Sequence, residues 1–368
     1  MKVSVWSYLE EYQQDKDDIL KIVDSVFQSG ALILGENVSS FENEFSKYCG
    51  ADYGVGVNSA TDALFLSLKA LNIGEGDEVI TVANTAVPTV SAIVSVGAIP
   101  IFCDIDPQTY LMDVNLLPSL ITNRTRCILP VHLFGQCVDM DAVIAIAEKH
   151  ELFIIEDCAQ SHGAEYRGRK AGSMSDCSAF SFYPTKLLGG YGDGGLVVTS
   201  DSSRAEQLKR LRFYGMEGSY NAIEHGYNSR LDELHAAILR YKLNKLDDYI
   251  FSRRALAKIY DNRLSDTGLI LPIESEYNHH AYYVYVCRHE KRDAIIEALK
   301  QKDIFVNISY PWPIHTMKAY ESLGYNPGDL PQTELAAKQI FSLPMYPLLK
   351  TDQQEYVISS LKTILQSL

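Results

Sequence analysis

Between residues 53 and 199 the chain repeats one alternation: a short, nearly apolar run, then a stretch with helical spacing. The runs are YGVGV (Tyr53–Val57), EVITV (Glu78–Val82), IPIFCDI (Ile99–Ile105), RCILPVHL (Arg126–Leu133) and LFIIED (Leu152–Asp157). Between them, ATDALFLSLKAL (Ala60–Leu71), the stretch Val87–Val96 and DMDAVIAIAEKH (Asp139–His150) read as helices. A strand that is apolar at nearly every position has to be covered on both faces, and the connecting helices provide the cover. The alternation therefore restricts this region to an α/β fold with a largely parallel sheet. SAFSFY and GLVVTS add two strands on either side of Tyr183–Gly194.

After about residue 230 the pattern changes. RLDELHAAILRYKLNKLDDYIFSRRALAKIYDNRLSD is almost continuously helical in period up to Gly268. AYYVYVCR then reads as a strand, KRDAIIEALKQK as a helix and IFVNISY as a strand. We expect a large domain over residues 1–250 and a smaller C-terminal α+β domain over residues 251–368.

A chain of 368 residues can bury two sizeable cores. Its net charge of −14 argues against nucleic acid or an anionic membrane as partner. Glu10, Glu11, Asp15, Lys16, Asp17 and Asp18 fill the start, where a secretory signal would be apolar. The uncharged run Val79–Cys103 holds two prolines, Asn84 and several hydroxyl residues, and reads as strand, helix and strand rather than a membrane span. Seven scattered cysteines without a CxxC pair suit a reduced, cytoplasmic protein. Cys158 and His162 sit four apart without further ligands in the pattern, so no metal site is expected.

In parallel α/β sheets, ligands gather at the carboxyl ends of the strands. Three such ends carry chemistry here. In SFYPTKLLGGYGDGG (Ser181–Gly195), Lys186 stands among Phe, Tyr, Leu and Gly, and only Asp193 shares its charge-poor window between Asp176 and Asp201. Desolvation would lower its pKa and leave a nucleophilic amine; a lysine snorkelling from a loop is the plainer alternative. Asp157 ends an apolar strand and needs a cation, which a protonated heteroaromatic nitrogen or a structural ion pair would supply. In GVGVNSATDAL the helix start at Ala60 and Thr61 offers free N–H groups to a phosphate, or is an ordinary capped helix. Gly54-x-Gly56-x-x-Ser59 lacks the third glycine of a dinucleotide fingerprint, and GGYGDGG lacks the Lys-Ser/Thr ending of a P-loop. A phosphate cradle, a carboxylate and a desolvated lysine together are what pyridoxal phosphate (PLP) requires.

GVNSATDAL, PVHLFGQ (Pro130–Gln136), EDCAQSHGAEYRG (Glu156–Gly168), SFYPTKLLGGYGDGG, GYNSRLDELHAAIL (Gly226–Leu239) and YPWPIHTMKAY (Tyr310–Tyr320) run in this order over nearly the whole chain. In these motifs the chain resembles the DegT/DnrJ/EryC1/StrS family of PLP-dependent sugar aminotransferases. The resemblance implies an aspartate-aminotransferase-like (fold type I) α/β architecture: a mixed, mostly parallel sheet in the large domain plus a small α+β domain. It implies that Lys186 forms the Schiff base with PLP and afterwards moves the proton, while Asp157 pairs with the pyridine nitrogen. Gln160 would lie near the ring hydroxyl, and His162 would help frame the ring. Ala60, Thr61 and Ser181 would hold the phosphate, and Asn228 would reach the phosphate of the neighbouring subunit in a homodimer with shared sites. Arg230 and His315 match positions near the substrate, and Tyr183 and Tyr310 are candidates to line the sugar site, with packing the plainer alternative among 23 tyrosines. The family commonly stacks an aromatic residue on the ring where this chain has Ala86, so no stacking residue is assigned.

The resemblance further implies ping-pong transfer of an amino group from L-glutamate to a nucleotide-linked keto sugar. The wording SFYPTK with LGGYGDGG, and LRFYGMEGSYN, points to carbon 3 of a dTDP-3-keto-6-deoxyhexose, in the making of a dideoxy amino sugar for a glycan such as lipopolysaccharide. The alternatives are amination at carbon 4 of a dTDP- or UDP-4-keto-6-deoxysugar, and a PLP-dependent sugar dehydratase, which would carry histidine in place of Lys186. A non-catalytic sugar-nucleotide binder would not need both Lys186 and Asp157. An NAD-dependent oxidoreductase would need the missing glycine.

Overall fold

The computed structural model describes residues 1–218 and 220–368. Two helices, α1 (Leu9–Ser29) and α2 (Glu36–Cys49), precede the alternating region. There β1 (Tyr53–Val57), α3 (Ala60–Ala70), β2 (Glu78–Val82), α4 (Val87–Ser95), β3 (Ile99–Cys103), the short α5 (Leu117–Leu120), β4 (Thr125–Ile128), α6 (Met140–His150) and β5 (Phe153–Asp157) follow in turn. The two-residue strands β6 (Glu165–Tyr166) and β7 (Arg169–Lys170) make a small arm before β8 (Cys177–Ser181), β9 (Gly195–Thr199) and α7 (Ser202–Leu211). The main sheet has seven strands in the order β1-β9-β8-β5-β4-β2-β3. Strands β2, β8 and β9 are buried at every position, which is why their sequences are apolar without alternation.

One strand breaks the parallel rule. β9 runs antiparallel to both β1 and β8, while the remaining neighbours are parallel. Its reversal aligns Val57, Gly195 and Ser181 in one row across the sheet. The loop from β8 to β9 therefore leaves and re-enters the sheet at the edge where β1 ends.

The expected continuous helix is two helices, α8 (Glu233–Leu243) and α9 (Leu246–Leu264). The chain turns at Asn244–Lys245, where the Asn244 side chain donates to the Arg240 carbonyl (3.0 Å). Glu233, buried at the start of α8, accepts the backbone N–H groups of Gly35 (2.8 Å), Asn37 (2.9 Å) and Val38 (2.8 Å). Its carboxylate thus satisfies the orphan donors at the start of α2, where the helix dipole also favours a negative charge.

The remainder comprises β10 (Asn278–His279), which pairs with β6, then β11 (Tyr285–Arg288), α10 (Arg292–Lys300), α11 (Pro331–Gln339), β12 (Ile340–Leu343) and α12 (Thr351–Ser367). β11 and β12 pair antiparallel. IFVNISY is not a strand: it makes only single bridges, Ile304 to Val3 and Asn307 to Ser342. Helix α9 spans residue 250, with Ile250 in the core of the main sheet and Leu256, Ala257 and Tyr260 in a second core with Tyr285, Phe341 and Val357. Val3 belongs to that second core too, as its N–H donates to the Asp303 carbonyl (2.9 Å) and its carbonyl accepts from Phe305 (2.8 Å). The first residues thus pack with the C-terminal unit, which a division at residue 250 does not convey. Among the described residues no helix is long and apolar enough to cross a membrane.

Beneath the carboxyl edge of the sheet, Phe45, Phe180 and Phe182 surround the buried ring of His162. Burial, with the charge of Lys186 adding to it, drives His162 down to about 3. A histidine held neutral in the folded state and free to charge at 6.5 when unfolded stabilises the fold fully above pH 6.5. That contribution fades as pH falls toward 3. The substitution His162→Leu should therefore flatten the acid limb of urea-unfolding stability between pH 6.5 and 4.5 by about 1.4 kcal/mol per pH unit. An acid limb identical to wild type would count against this account of His162.

Candidate active site

Strand β5 delivers two adjacent carboxylates to opposite faces of the sheet. Glu156 faces a closed polar network. It accepts from the backbone N–H of Gly172 (3.0 Å) and Met174 (2.9 Å), from the Ser178 hydroxyl (3.0 Å) and from His132 Nε2 (2.8 Å). His132 Nδ1 accepts from the Val138 N–H (3.1 Å), which places the ring proton on Nε2. Burial opposes the charge of Glu156, but His132 and the two amides outweigh it and hold the carboxyl below its usual range. Cys158 comes near this pair, so the three residues have metal-like spacing. Both His132 nitrogens and both Glu156 oxygens are already engaged by one another and by the backbone, so the pair is an internal brace.

Asp157 is the contrasting neighbour. It is buried, yet its carboxylate has only neutral partners: the Thr89 hydroxyl on Oδ2 (2.8 Å) and the Ala159 N–H on Oδ1 (3.1 Å). Burial pushes its pKa up, and those hydrogen bonds and the charge of Lys186 only partly counter it. Thr89, on the first turn of α4, is itself bonded to Thr85 (2.9 Å). A buried carboxylate in this condition is poised for a cation.

Lys186 lies on the β8–β9 loop, half-buried rather than fully desolvated. Its Nζ sits 5.0 Å from the centroid of the Tyr283 ring, and among the described residues it makes no ion pair. The neighbouring Thr185 hydroxyl meets the Tyr283 hydroxyl at 3.2 Å. Arg253, buried on α9, in turn donates to the carbonyls of Tyr283 (2.9 Å) and Met345 (3.0 Å). The lysine thus rests against an aromatic face that packs on the main core and is tied through Arg253 to Met345 of the second.

The third part is the start of α3. Ser59 caps the helix by accepting from Asp62 N–H (3.1 Å), which leaves the first amides, at Ala60 and Thr61, at the open end. Gly195 passes directly beneath: a Cβ there would lie 2.7 Å from the Ala60 nitrogen. Only glycine lets β9 approach the helix start this closely. Since Ser181 shares the row with Gly195 and Val57, the helix start and Ser181 meet at one edge, two residues beyond the Ala179–Asp157 pair.

Gln160 and Tyr310 are also brought together, through a short hydrogen bond between the Gln160 amide and the Tyr310 hydroxyl. The Gln160 carbonyl accepts from Phe134 N–H (3.0 Å), and Tyr310 stacks on the Phe134 ring. Tyr183 and Asn228 are exposed. Asn228 lies on a bridge to Phe213, and Arg230 lies over the Phe213 ring (5.4 Å).

Two expected residues sit differently. His162, expected to frame a ring, has both nitrogens buried without a hydrogen bond inside its phenylalanine cluster. His315, expected near substrate, is buried, with Nε2 bonded to Glu334 (3.1 Å) and its ring among Phe102 and Tyr325. Ala86 precedes α4 as its N-cap and contributes no ring. Sequence reading missed Thr85, Thr89 and Tyr283. The two threonines carried a signal, hydroxyls four apart at a helix start; Tyr283 was one of 23 tyrosines with nothing to set it apart.

The residues fit PLP. The helix start and Ser181 suit a phosphate, the cation-seeking Asp157 suits a pyridinium, and among the described residues no carboxylate is ion-paired to Lys186.

The model of the DegT/DnrJ/EryC1/StrS aminotransferase family matches residues 13–362. A protein named dTDP-3-amino-3,4,6-trideoxy-alpha-D-glucose transaminase, from Micromonospora megalomicea subsp. nigra, is 51% identical over 100% of both chains. The crystal structure of S. venezuelae DesV in complex with a ketimine intermediate superposes with a TM-score of 0.98 at 40% identity, covering 99% of each chain. That of ntda from Bacillus subtilis with bound cofactor PMP has a TM-score of 0.89 at 30% identity, over 96% of this chain and 82% of that one. The expected α/β fold, of the type I PLP-transferase kind, is the fold observed. By family match, end-to-end identity and fold, the chain belongs to the DegT/DnrJ/EryC1/StrS aminotransferase family.

Proposed function

We propose that this protein is a PLP-dependent aminotransferase that moves an amino group from L-glutamate to carbon 3 of a dTDP-linked 3-keto-6-deoxyhexose. The observation that carries the reading is the meeting, at one sheet edge, of an under-partnered buried Asp157 with a lysine that makes no ion pair among the described residues. The choice of sugar and carbon rests on the 51% identity to a dTDP-3-amino sugar transaminase.

When bound, PLP supplies an electron sink and a carbon that carries the amino group between donor and acceptor. The chain's residues do the rest. The amides of Ala60 and Thr61, with Ser181, bind the phosphate. Asp157 holds a proton on the ring nitrogen by charge, and Thr89, backed by Thr85, fixes the carboxylate's orientation. Gln160 and Tyr310, bonded to one another, are placed to border the ring on the side of Phe134. Lys186 would move a proton at Nζ between the substrate carbon and the cofactor carbon, off the donor's α-carbon in one half of the exchange and onto the sugar carbon that receives the amine in the other. Tyr283 offers the freed ammonium a resting face between these events.

Asn228 is exposed and makes no side-chain hydrogen bond among the described residues. In our reading it reaches the phosphate site of a second copy, so the working form is a homodimer. Tyr183, also exposed, and the half-buried Arg230 border the sugar. His162 backs the site and His315 steadies Glu334, neither touching substrate. A cytoplasmic location agrees with seven free, buried cysteines.

Four outcomes test this reading. Lys186→Ala should lose on the order of 10³-fold or more in turnover with glutamate and dTDP-3-keto sugar; wild-type turnover in that variant would sink the mechanism. NMR of the wild-type product should place the new amine on carbon 3, whereas an amine on carbon 4 would reassign the substrate. Thr89→Val should lower kcat about ten-fold, the value of one hydrogen bond to a charged group, with little change in KM for the sugar. An unchanged kcat would remove Thr89 from the orienting role. Finally, hybrid dimers of Lys186→Ala and Asn228→Ala subunits should regain activity, since one of the two shared sites would then be intact. Purified hybrids no more active than their parents would exclude the cross-subunit role of Asn228.

A further inference from the structure

The loop that carries Lys186 continues through Leu187–Gly194, and four of those eight residues are glycine. So much glycine gives the backbone wide freedom that something else has to restrain. Its middle and its far end are tied to Phe182, whose carbonyl accepts from Gly190 N–H (2.8 Å) and whose N–H donates to the Gly194 carbonyl (2.8 Å). Between them, the loop borders a cavity of about 300 Å³ lined by Glu11, Gly189, Tyr191, Lys242, Tyr249 and Arg253. Close packing is therefore not what holds that side.

Helix α8 supplies two polar contacts instead. His235 and Lys242 are seven residues apart and share one helix face. The buried Lys242 Nζ donates to the Gly189 carbonyl (2.7 Å), is balanced by Glu11 (2.6 Å) and lies 5.0 Å over the Tyr191 ring. Two turns earlier, the His235 ring lies against Gly190 and Gly192, and a Cβ at 192 would be 2.6 Å from Nε2. Glycine at 192 leaves the space the imidazole occupies. His235 Nδ1 meets Asp232 Oδ2 at 2.8 Å, while Nε2 faces the loop at Gly192. With Nδ1–H donating to Asp232, Nε2 presents a proton to the loop backbone only in the imidazolium.

We propose that His235, together with Lys242, is a positioning residue that clamps the Gly189–Gly192 loop and so fixes the main chain from which Lys186 projects. The inference rests on the reading of Lys186 as the catalytic lysine. The charged groups facing His235 are Asp232, from the cap of its own helix, and Asp193, from the loop; both are acidic. The Asp232 hydrogen bond raises the His235 pKa above 6.5 against the opposing effect of burial. The imidazolium clamp is thus complete below the unperturbed value and is lost as pH rises through the raised one.

The test is amide hydrogen exchange of residues 187–194 in the cofactor-loaded protein without substrate, corrected for intrinsic exchange, together with kcat and KM across pH 6–9. In wild type, loop protection should fall roughly five-fold as pH rises through the His235 titration, the value of one net hydrogen bond. His235→Gln should show the lower protection at every pH. It should also lower kcat more than it raises KM, and lose the part of the kcat profile that follows His235. Wild-type protection that does not vary with pH overturns the clamp, and that measurement needs no variant to fold. A loosened loop in His235→Gln with unchanged kcat overturns the positioning role. Exchange is read without turnover, so a wild type unable to transaminate would sink the assignment of function and leave the exchange result intact.

Discussion

The site depends on the unequal treatment of two neighbouring carboxylates. A strand sends successive side chains to opposite faces, so Glu156 and Asp157 are buried in different surroundings one residue apart. Glu156 receives four donors and is finished as a structural group. Those donors come from residues 132, 172, 174 and 178, so the carboxylate ties the end of β5 to the segments on either side. Asp157 is held rigid by that bracing, while the main chain on its own side bonds to Pro130 and His132 (3.0 Å each). Its side chain is left with two neutral donors and an elevated pKa. A rigid strand end thus presents a carboxylate whose remaining need is a positive charge.

The antiparallel strand makes the rest of the site possible. Had β9 run parallel to β8, the chain after Lys186 would have had to cross to the far end of the sheet before re-entering it. As it stands, the loop begins at Ser181 and ends at Gly195, directly across from one another and next to the end of β1. The phosphate-suited helix start, the lysine loop and Asp157 therefore share an edge because of one reversal of direction.

Much of this was legible in the sequence. The apolar runs located the strands because a doubly covered strand leaves no room for polar residues, and the partners of Lys186 followed from strand-end logic. The direction of β9 was not legible, since GLVVT is apolar throughout and reads alike either way. The break between α8 and α9 was hidden because Asn244–Lys245 contains neither glycine nor proline. IFVNISY has strand propensity, but its neighbours pair with it at only two points. His162 and His315 were expected to face ligands because they fall in motifs, and both are enclosed by aromatic residues distant in sequence. Thr89 escaped notice because a hydroxyl on the first turn of a helix ordinarily serves that turn, and only the fold brings Asp157 beneath it.

The docking of Val3 has a consequence for how the chain assembles. Val3 bonds to residues 303 and 305, and the Val5 carbonyl accepts from Met345. During synthesis these partners emerge some three hundred residues later, so the opening segment waits, exposed, while the main sheet forms. Closing so long a loop adds little entropy beyond that of a shorter one, because the cost grows only with the logarithm of length. Time is the larger matter: the second core cannot be completed until the last helices arrive. Tyr283, which borders Lys186, is held by Arg253 to that late-forming unit. The lysine's surroundings are thus finished only once the second core has formed.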